Sequence, residues 1–291
     1  IQRFLMKKFF TFSILILFAL LFISPVKASA QESIRAFDVL MTAQKNGDLQ
    51  VTEKITYSFG SSFRHGIYRS IPLVSRVGDL YRVIDINFTG VLRDGKREPY
   101  SLNSTGETIK VKIGDADKTI TGEHLYEIAY VVKNGIGSNY EDHDEIYWNV
   151  TGDQWEIQVA SASLLLTTDF NTLADKVICF TGVSGSTASN CQVTKENGKV
   201  KVTTISPLAS SEGLTVVAGF PVGTFPKSTL QKSLPTDPDV RMFLIIFGSI
   251  FLGLNFILAP YLLFWYMKKR NKKRFGPPSV NFDLPKSTDG V

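Results

Sequence analysis

Leu49-Gln50-Val51-Thr52-Glu53-Lys54-Ile55-Thr56-Tyr57-Ser58-Phe59 alternates apolar and polar side chains with period two; it follows the turn-forming Asn46-Gly47-Asp48 and an earlier apolar-rich run, Ile34 to Met41. Two such runs joined by a short turn of this chemistry read as a β-hairpin. Leu49, Val51, Ile55, Tyr57 and Phe59 then face a core, and Gln50, Thr52, Lys54 and Thr56 face solvent. Glu53 falls on the inward register. A carboxylate buried there requires a partner, because an isolated ionised group is far too costly to remove from water.

Working outward, similar runs recur at Tyr81 to Phe88, Thr108 to Ile113, Glu123 to Val132, Trp155 to Leu166, Val193 to Ile205 and Leu214 to Pro221. Turn residues such as Arg93-Asp94-Gly95 and Glu196-Asn197-Gly198 separate them. Many short strands at fairly regular spacing predict an all-β domain over residues 31–225, a β-sandwich of immunoglobulin-like or jelly-roll-like type. Residues 226–239, with Pro235 and Pro238, read as a stalk.

Two apolar stretches flank this domain. In residues 1–30, Arg3, Lys7 and Lys8 precede an uncharged run from Phe9 to Ile23, and Ala28-Ser29-Ala30 has the small-x-small pattern of a cleavage site. A signal peptide removed before Gln31, with translation starting at Met6, is expected; an uncleaved N-terminal anchor is the alternative. Met242 to Met267 is a 26-residue run with no charged side chain. That is enough to cross a hydrocarbon core of ~30 Å, so residues 240–267 are predicted to form a transmembrane helix. Trp265 and Tyr266 suit an interfacial belt, and six of the seven residues from Lys268 to Arg274 are basic. Basic clusters beside a span stay cytoplasmic, which places 268–291 inside and the β-domain outside a plasma membrane crossed once.

The net charge of +5 does not describe the folded domain. Residues 31–239 carry 20 basic and 25 acidic side chains, whereas residues 240–291 carry 8 and 2. The excess positive charge reports targeting and topology, which argues against nucleic acid as a partner. The only two cysteines, Cys179 and Cys191, enclose a Gly/Ser-rich loop. In an oxidising compartment that spacing suits a disulfide, with two free thiols as the alternative.

For chemistry the inventory is thin. Arg64, His65 and Arg69 could form an anion-binding loop, but a bidentate arginine is also what Glu53 needs, and a Glu53–Arg69 structural pair is the favoured reading. Glu141, Asp142, Asp144 and Glu145 form the densest acidic run. They are a weak candidate for a hard cation, since their spacing is not that of a calcium loop. His65, His124 and His143 are the only histidines, and no nucleophile elbow, zinc motif or phosphate loop accompanies them. No catalytic residue and no cofactor is assigned. Trp148 and Trp155 could stack on sugars, although aromatics in such folds are more often core. Asn87, Asn103 and Asn149 match the glycosylation acceptor pattern, which matters only in a host that glycosylates.

Four stretches together resemble a family of predicted membrane proteins known as domain of unknown function 2207. They are Asn46 to Phe59, His65-Gly66-Ile67-Tyr68-Arg69-Ser70-Ile71-Pro72, Tyr147-Trp148-Asn149-Val150-Thr151-Gly152 with Trp155, and Cys179-Phe180-Thr181-Gly182 with Gly185, Ser186 and Cys191. In that family a transmembrane helix follows the exported part, often with further sequence beyond. The resemblance implies an architecture and no activity. The resulting expectation is a membrane-anchored, non-catalytic binding module toward a protein or envelope glycan, with Arg64, His65 and Trp148 as its candidate surface; an envelope hydrolase or a transmembrane sensor are the alternatives.

Overall fold

The structure, a computed structural model, describes residues 31–170, 172–234 and 238–274. The expected signal peptide lies outside the described residues. The chain separates into a β-rich unit and a C-terminal helical unit.

In the β-rich unit, β1 (Ser33–Ala43) and β2 (Leu49–Ser58) form the hairpin, in a register that sets Ala43 opposite Leu49 and Val39 opposite Glu53. Asn46 shapes the turn by accepting the Asp48 N–H on its side-chain oxygen, and Gly47 takes the left-handed backbone angle that the reversal needs. On the other edge of β2 lie β10 (Glu123–Lys133), β6 (Asp85–Arg93) and the short β7 (Lys96–Arg97), all antiparallel. Beyond β1 lie β12 (Ala162–Thr168), β15 (Lys199–Thr204) and β14 (Cys191–Glu196). The result is one eight-stranded sheet in the order β14-β15-β12-β1-β2-β10-β6-β7. Its β1–β12 pairing is parallel, unlike every other pairing in the sheet.

Three smaller sheets complete the unit. One is β11 (His143–Asn149), β16 (Gly213–Pro221) and β13 (Lys176–Gly182), with β16 central; another is β3 (Gly66–Pro72), β9 (Thr108–Gly114) and β8 (Tyr100–Ser104), with β9 central. The last joins β4 (Val74–Val77), β5 (Leu80–Val83) and β17 (Leu230–Gln231). Alternation sends one face of each long strand inward: Phe37, Val39 and Met41 from β1, Tyr126, Ile128 and Tyr130 from β10, Val111 from β9, Val216 and Phe220 from β16. These residues share a single buried cluster. The disulfide joins Cys179 of β13 to Cys191 of β14, so it ties an edge of one sheet to an edge of another.

Two expectations are revised here. The run Trp155 to Leu166 is strand only from Ala162; Trp155 instead turns its indole N–H onto the Thr151 carbonyl, and its own carbonyl accepts the Ser211 N–H. The first residues of the expected stalk do not stand free of the domain, because the chain from Pro226 to Gln231 is bound to it. Ser138 donates to the Pro226 carbonyl and accepts from the Ser228 N–H, Asn134 brackets Thr229 with both ends of its amide, and β17 pairs with β5.

The helical unit is α1 (Pro238–Arg274), within which Val240–Arg270 is long and apolar enough to cross a membrane, its most apolar 18-residue window having a mean hydropathy of 2.4. Its polar residues are satisfied inside the helix: Ser249 donates to the Ile245 carbonyl and Asn255 to the Phe251 carbonyl, each one turn back. In a medium without water that internal pairing is required. Lys269 lies over the Trp265 ring, 5.0 Å from its centroid, a pairing suited to a membrane surface.

Candidate functional site

The strongest charges of the β-domain meet in its interior. Arg69 of β3 is 1 % exposed and Glu53 of β2 is 0 % exposed. The guanidinium grips the carboxylate with two parallel bonds, Nε to Oε2 and Nη2 to Oε1, each 2.8 Å. Its other donors go to the carbonyls of Ser70 and Thr151 from Nη1 and of Val150 from Nη2. All five N–H groups are therefore used. Tyr130 of β10 donates its hydroxyl to Glu53 Oε1 at 2.7 Å, and the Phe37 ring lies 5.3 Å from the guanidinium carbon. Burial, aided by the neighbouring Glu53 charge, pushes the Tyr130 phenol well above its ordinary value, so it stays a donor. Burial works to lower the Arg69 pKa, yet Glu53 more than offsets this and holds it raised.

The glycines around this network have definite tasks. Gly152 sits at φ +76°, and a Cβ there would come within 2.6 Å of Arg69 Nη1. Gly66 and Gly114 face each other across β3 and β9, where a Cβ on either would overlap the other strand's backbone. Glu53 from the hairpin, Gly66 and Arg69 from the His65–Pro72 phrase, and Val150, Thr151 and Trp155 from the third phrase are thus brought to one point. Their arrangement locks the sheets together, and a buried ion pair with every donor matched leaves no group free for turnover.

At the surface beside it is an open cleft of about 860 Å³. Its rim includes Glu32, Arg64, Tyr68, Ser70, Lys110 and Gln154. Arg64 donates to Glu32 Oε1 through Nε at 2.8 Å and Nη2 at 2.7 Å. Partial burial works to raise the Glu32 carboxyl, but hydrogen bonds from Arg64, Ser62 and Tyr57 together hold it below its usual value. His65 is exposed and its Nδ1 lies 2.9 Å from the Lys118 carbonyl oxygen. Tyr68 is 52 % exposed with Lys110 Nζ 4.5 Å from its ring centroid. Alternation in β3 puts Tyr68 on the opposite side from Arg69, a signal present in the sequence but not used there.

The remaining predicted residues are dispersed. Trp148 does not join Arg64 and His65 on a surface: it is 5 % exposed, on the inward side of β11, and its indole N–H has no acceptor. The same alternation divides the acidic run. Asp144 points into the core and accepts the Phe225 N–H, Glu145 accepts from the Tyr140 hydroxyl, and Asp142 lies 2.6 Å from His143 Nδ1. The hydrogen bond with Asp142, with slight burial working against it, raises the His143 pKa. Glu141 is exposed. Alternation thus takes Asp144 away into the core, while Asp142 and Glu145 both lie within ion-pair distance of His143, and among the described residues no group of three or more His, Cys, Asp or Glu could hold an ion.

Cys179 and Cys191 are bonded, with Cα atoms 6.3 Å apart. By the loop-closure argument, replacing both with serine lowers stability by about 3 kcal/mol. A melting curve of that variant should match the reduced wild type, and an unchanged curve in both would show that the bridge adds nothing.

Comparison with known proteins gives a consistent picture. The family model described as predicted membrane protein (DUF2207) N-terminal domain matches residues 33–220. The uncharacterised protein YciQ of Escherichia coli K12 is 30 % identical over 203 residues, covering 65 % of this chain and 31 % of its own. The chain thus spans about a third of the length of that curated relative. Among solved structures, an M1 zinc metallopeptidase from Deinococcus radiodurans aligns at TM-score 0.36 and 10 % identity, over 64 % of this chain and 42 % of the other. Leukotriene A4 hydrolase from Saccharomyces cerevisiae aligns at 0.40 and 6 %, over 67 % and 32 %. Likenesses this low carry no argument about activity.

Proposed function

This chain belongs to the family of predicted membrane proteins that carry the DUF2207 N-terminal domain, and from that premise we propose that it displays its β-domain outside the plasma membrane as a non-catalytic binding module. On this reading the domain is a β-sandwich, exported by the N-terminal 30 residues, and α1 anchors it with the Lys268–Arg274 cluster in the cytoplasm. Its partner is a protein or glycan of the envelope. The observation that carries the reading is the order along the chain, in which the Cys179–Cys191 bridge precedes the apolar helix and the basic cluster follows it. Disulfides persist in oxidising compartments, and lysine-arginine clusters are retained inside. The Arg69–Glu53 network supports the non-catalytic part, since it commits Arg69, Glu53 and Tyr130 to holding sheets together.

The test is labelling of intact cells with a membrane-impermeant amine reagent, followed by peptide mass spectrometry. Lys110 and Lys112, both exposed, should be modified while Lys272 reacts only after the cells are opened. The reverse pattern would end the proposal.

A further inference from the structure

The domain carries more acidic than basic residues, yet the strands β3, β8 and β9 contain no Asp or Glu and hold Arg69, Lys110 and Lys112. Arg69 is spent inside. The two lysines are not: both project from the exposed face of β9, two residues apart, which sets them about 7 Å from each other along the strand. The register surrounds them with uncharged neighbours. Lys112 lies between Tyr68 and Ser101, and Lys110 between Ser70 and Asn103. Among the described residues neither ammonium is in an ion pair; the partner recorded for Lys110 is the Tyr68 ring. Adjacent like charges on one strand face do not stabilise a sheet, so packing gives no reason for them.

The same face runs into the cleft. Tyr68, Ser70 and Lys110 line its wall, and Arg64, Gln154 and Glu156 stand elsewhere on it. An exposed aromatic ring offers a platform for the C–H face of a sugar, and the amide, hydroxyl, carboxylate and guanidinium groups around it both donate and accept, as paired sugar hydroxyls require. The cleft has the volume of a small-ligand site. Arg64 is already paired with Glu32, so uncompensated positive charge comes from Lys110 and Lys112. A bilayer surface fits poorly, because serine and asparagine flank the lysines where membrane insertion needs apolar side chains.

We propose that the outward face of the β3–β9–β8 sheet and the adjoining cleft bind an anionic glycan, with Lys110 and Lys112 meeting its carboxylate or phosphate groups and Tyr68 stacking on a sugar ring. This rests on the reading of the domain as an exported binding module. The test uses the full chain in lipid nanodiscs and affinity electrophoresis or calorimetry, with four probes: polygalacturonate, phosphomannan, neutral dextran and duplex DNA. At least one of the first two should bind, more weakly as salt rises, and dextran should not. Lys110→Ala/Lys112→Ala should weaken binding at least tenfold and Tyr68→Ala about fivefold, both with melting curves like wild type because these side chains are exposed. Failure of both anionic glycans to bind, equal binding of dextran or DNA, or an unaffected double-lysine variant overturns the inference. If intact-cell labelling still finds the domain outside, the inference alone has failed. If labelling finds it inside, the binding-module reading has failed with it.

Discussion

Replacing Arg69 with methionine should lower the stability of the β-domain by about 3–5 kcal/mol, the range for breaking one side of a buried ion pair. The reason is what the substitution leaves behind. Glu53 would keep only the Tyr130 hydroxyl, and the Val150 carbonyl would lose its Arg69 donor, while the Thr151 carbonyl would keep the Trp155 indole N–H. For a domain of this size each kcal/mol corresponds to ~2–4 °C, so the melting temperature should fall by roughly 6–20 °C. Circular dichroism of the full chain in detergent, following the β signal, reads this directly. Combining Arg69→Met with Glu53→Leu should recover at least half of the loss, because the unpaired charge is then gone while the Val150 carbonyl still lacks its donor. Tyr130→Phe should cost only about 1–2 kcal/mol, since the bidentate pair survives it. A methionine variant that melts within 2 °C of wild type would mean that the network adds little.

Gly66→Ala should be comparably damaging, and for a different reason. Gly66 adopts φ +149° and a Cβ there meets the Ile113 backbone, with the carbonyl carbon 2.8 Å away and the oxygen nearer still. Backbone cannot step aside as a flexible side chain can. Strained backbone and overpacking each cost roughly 1–3 kcal/mol, so a loss of about 3 kcal/mol or more is expected, with β3 lifting from β9 at this end. Because β3 positions Arg69, the variant should also loosen the ion pair. Gly90→Ala is the control, for a Cβ at Gly90 meets nothing within 4 Å. Should the Gly66 and Gly90 variants yield equal amounts of protein with equal melting temperatures, the close approach of the two strands would not be limiting.

How far the sequence reached depends on the range of the interaction. The period-two pattern in Leu49–Phe59 placed Glu53 inward, and the geometry of a guanidinium made Arg69 the natural partner, so the centre of the network was legible from local chemistry. Tyr130 was not. It lies 77 residues from Glu53, and which inward residue of β10 meets the carboxylate depends on strand order and register, which periodicity does not encode. Pairing β1 with β12 is hidden for the same reason. The Trp148 reading missed for a local reason, because the alternation of β11 that turns Asp144 inward turns Trp148 inward as well. Pro226 to Gln231 resembled a linker by composition, and only the side chains of Asn134 and Ser138, some 90 residues earlier, show that it is held.

The central position of β1 has a consequence for biogenesis. Phe37 is paired with Ala162, so one side of β1, the first of the described strands, has no mate until well over a hundred further residues have followed. At a synthesis rate of ~5–20 residues per second that wait lasts about 6–25 s, during which β1 and β2 present an open row of amide and carbonyl groups. Chains interrupted before residue 162 would keep that edge open, as an unpaired strand that can template pairing with another chain.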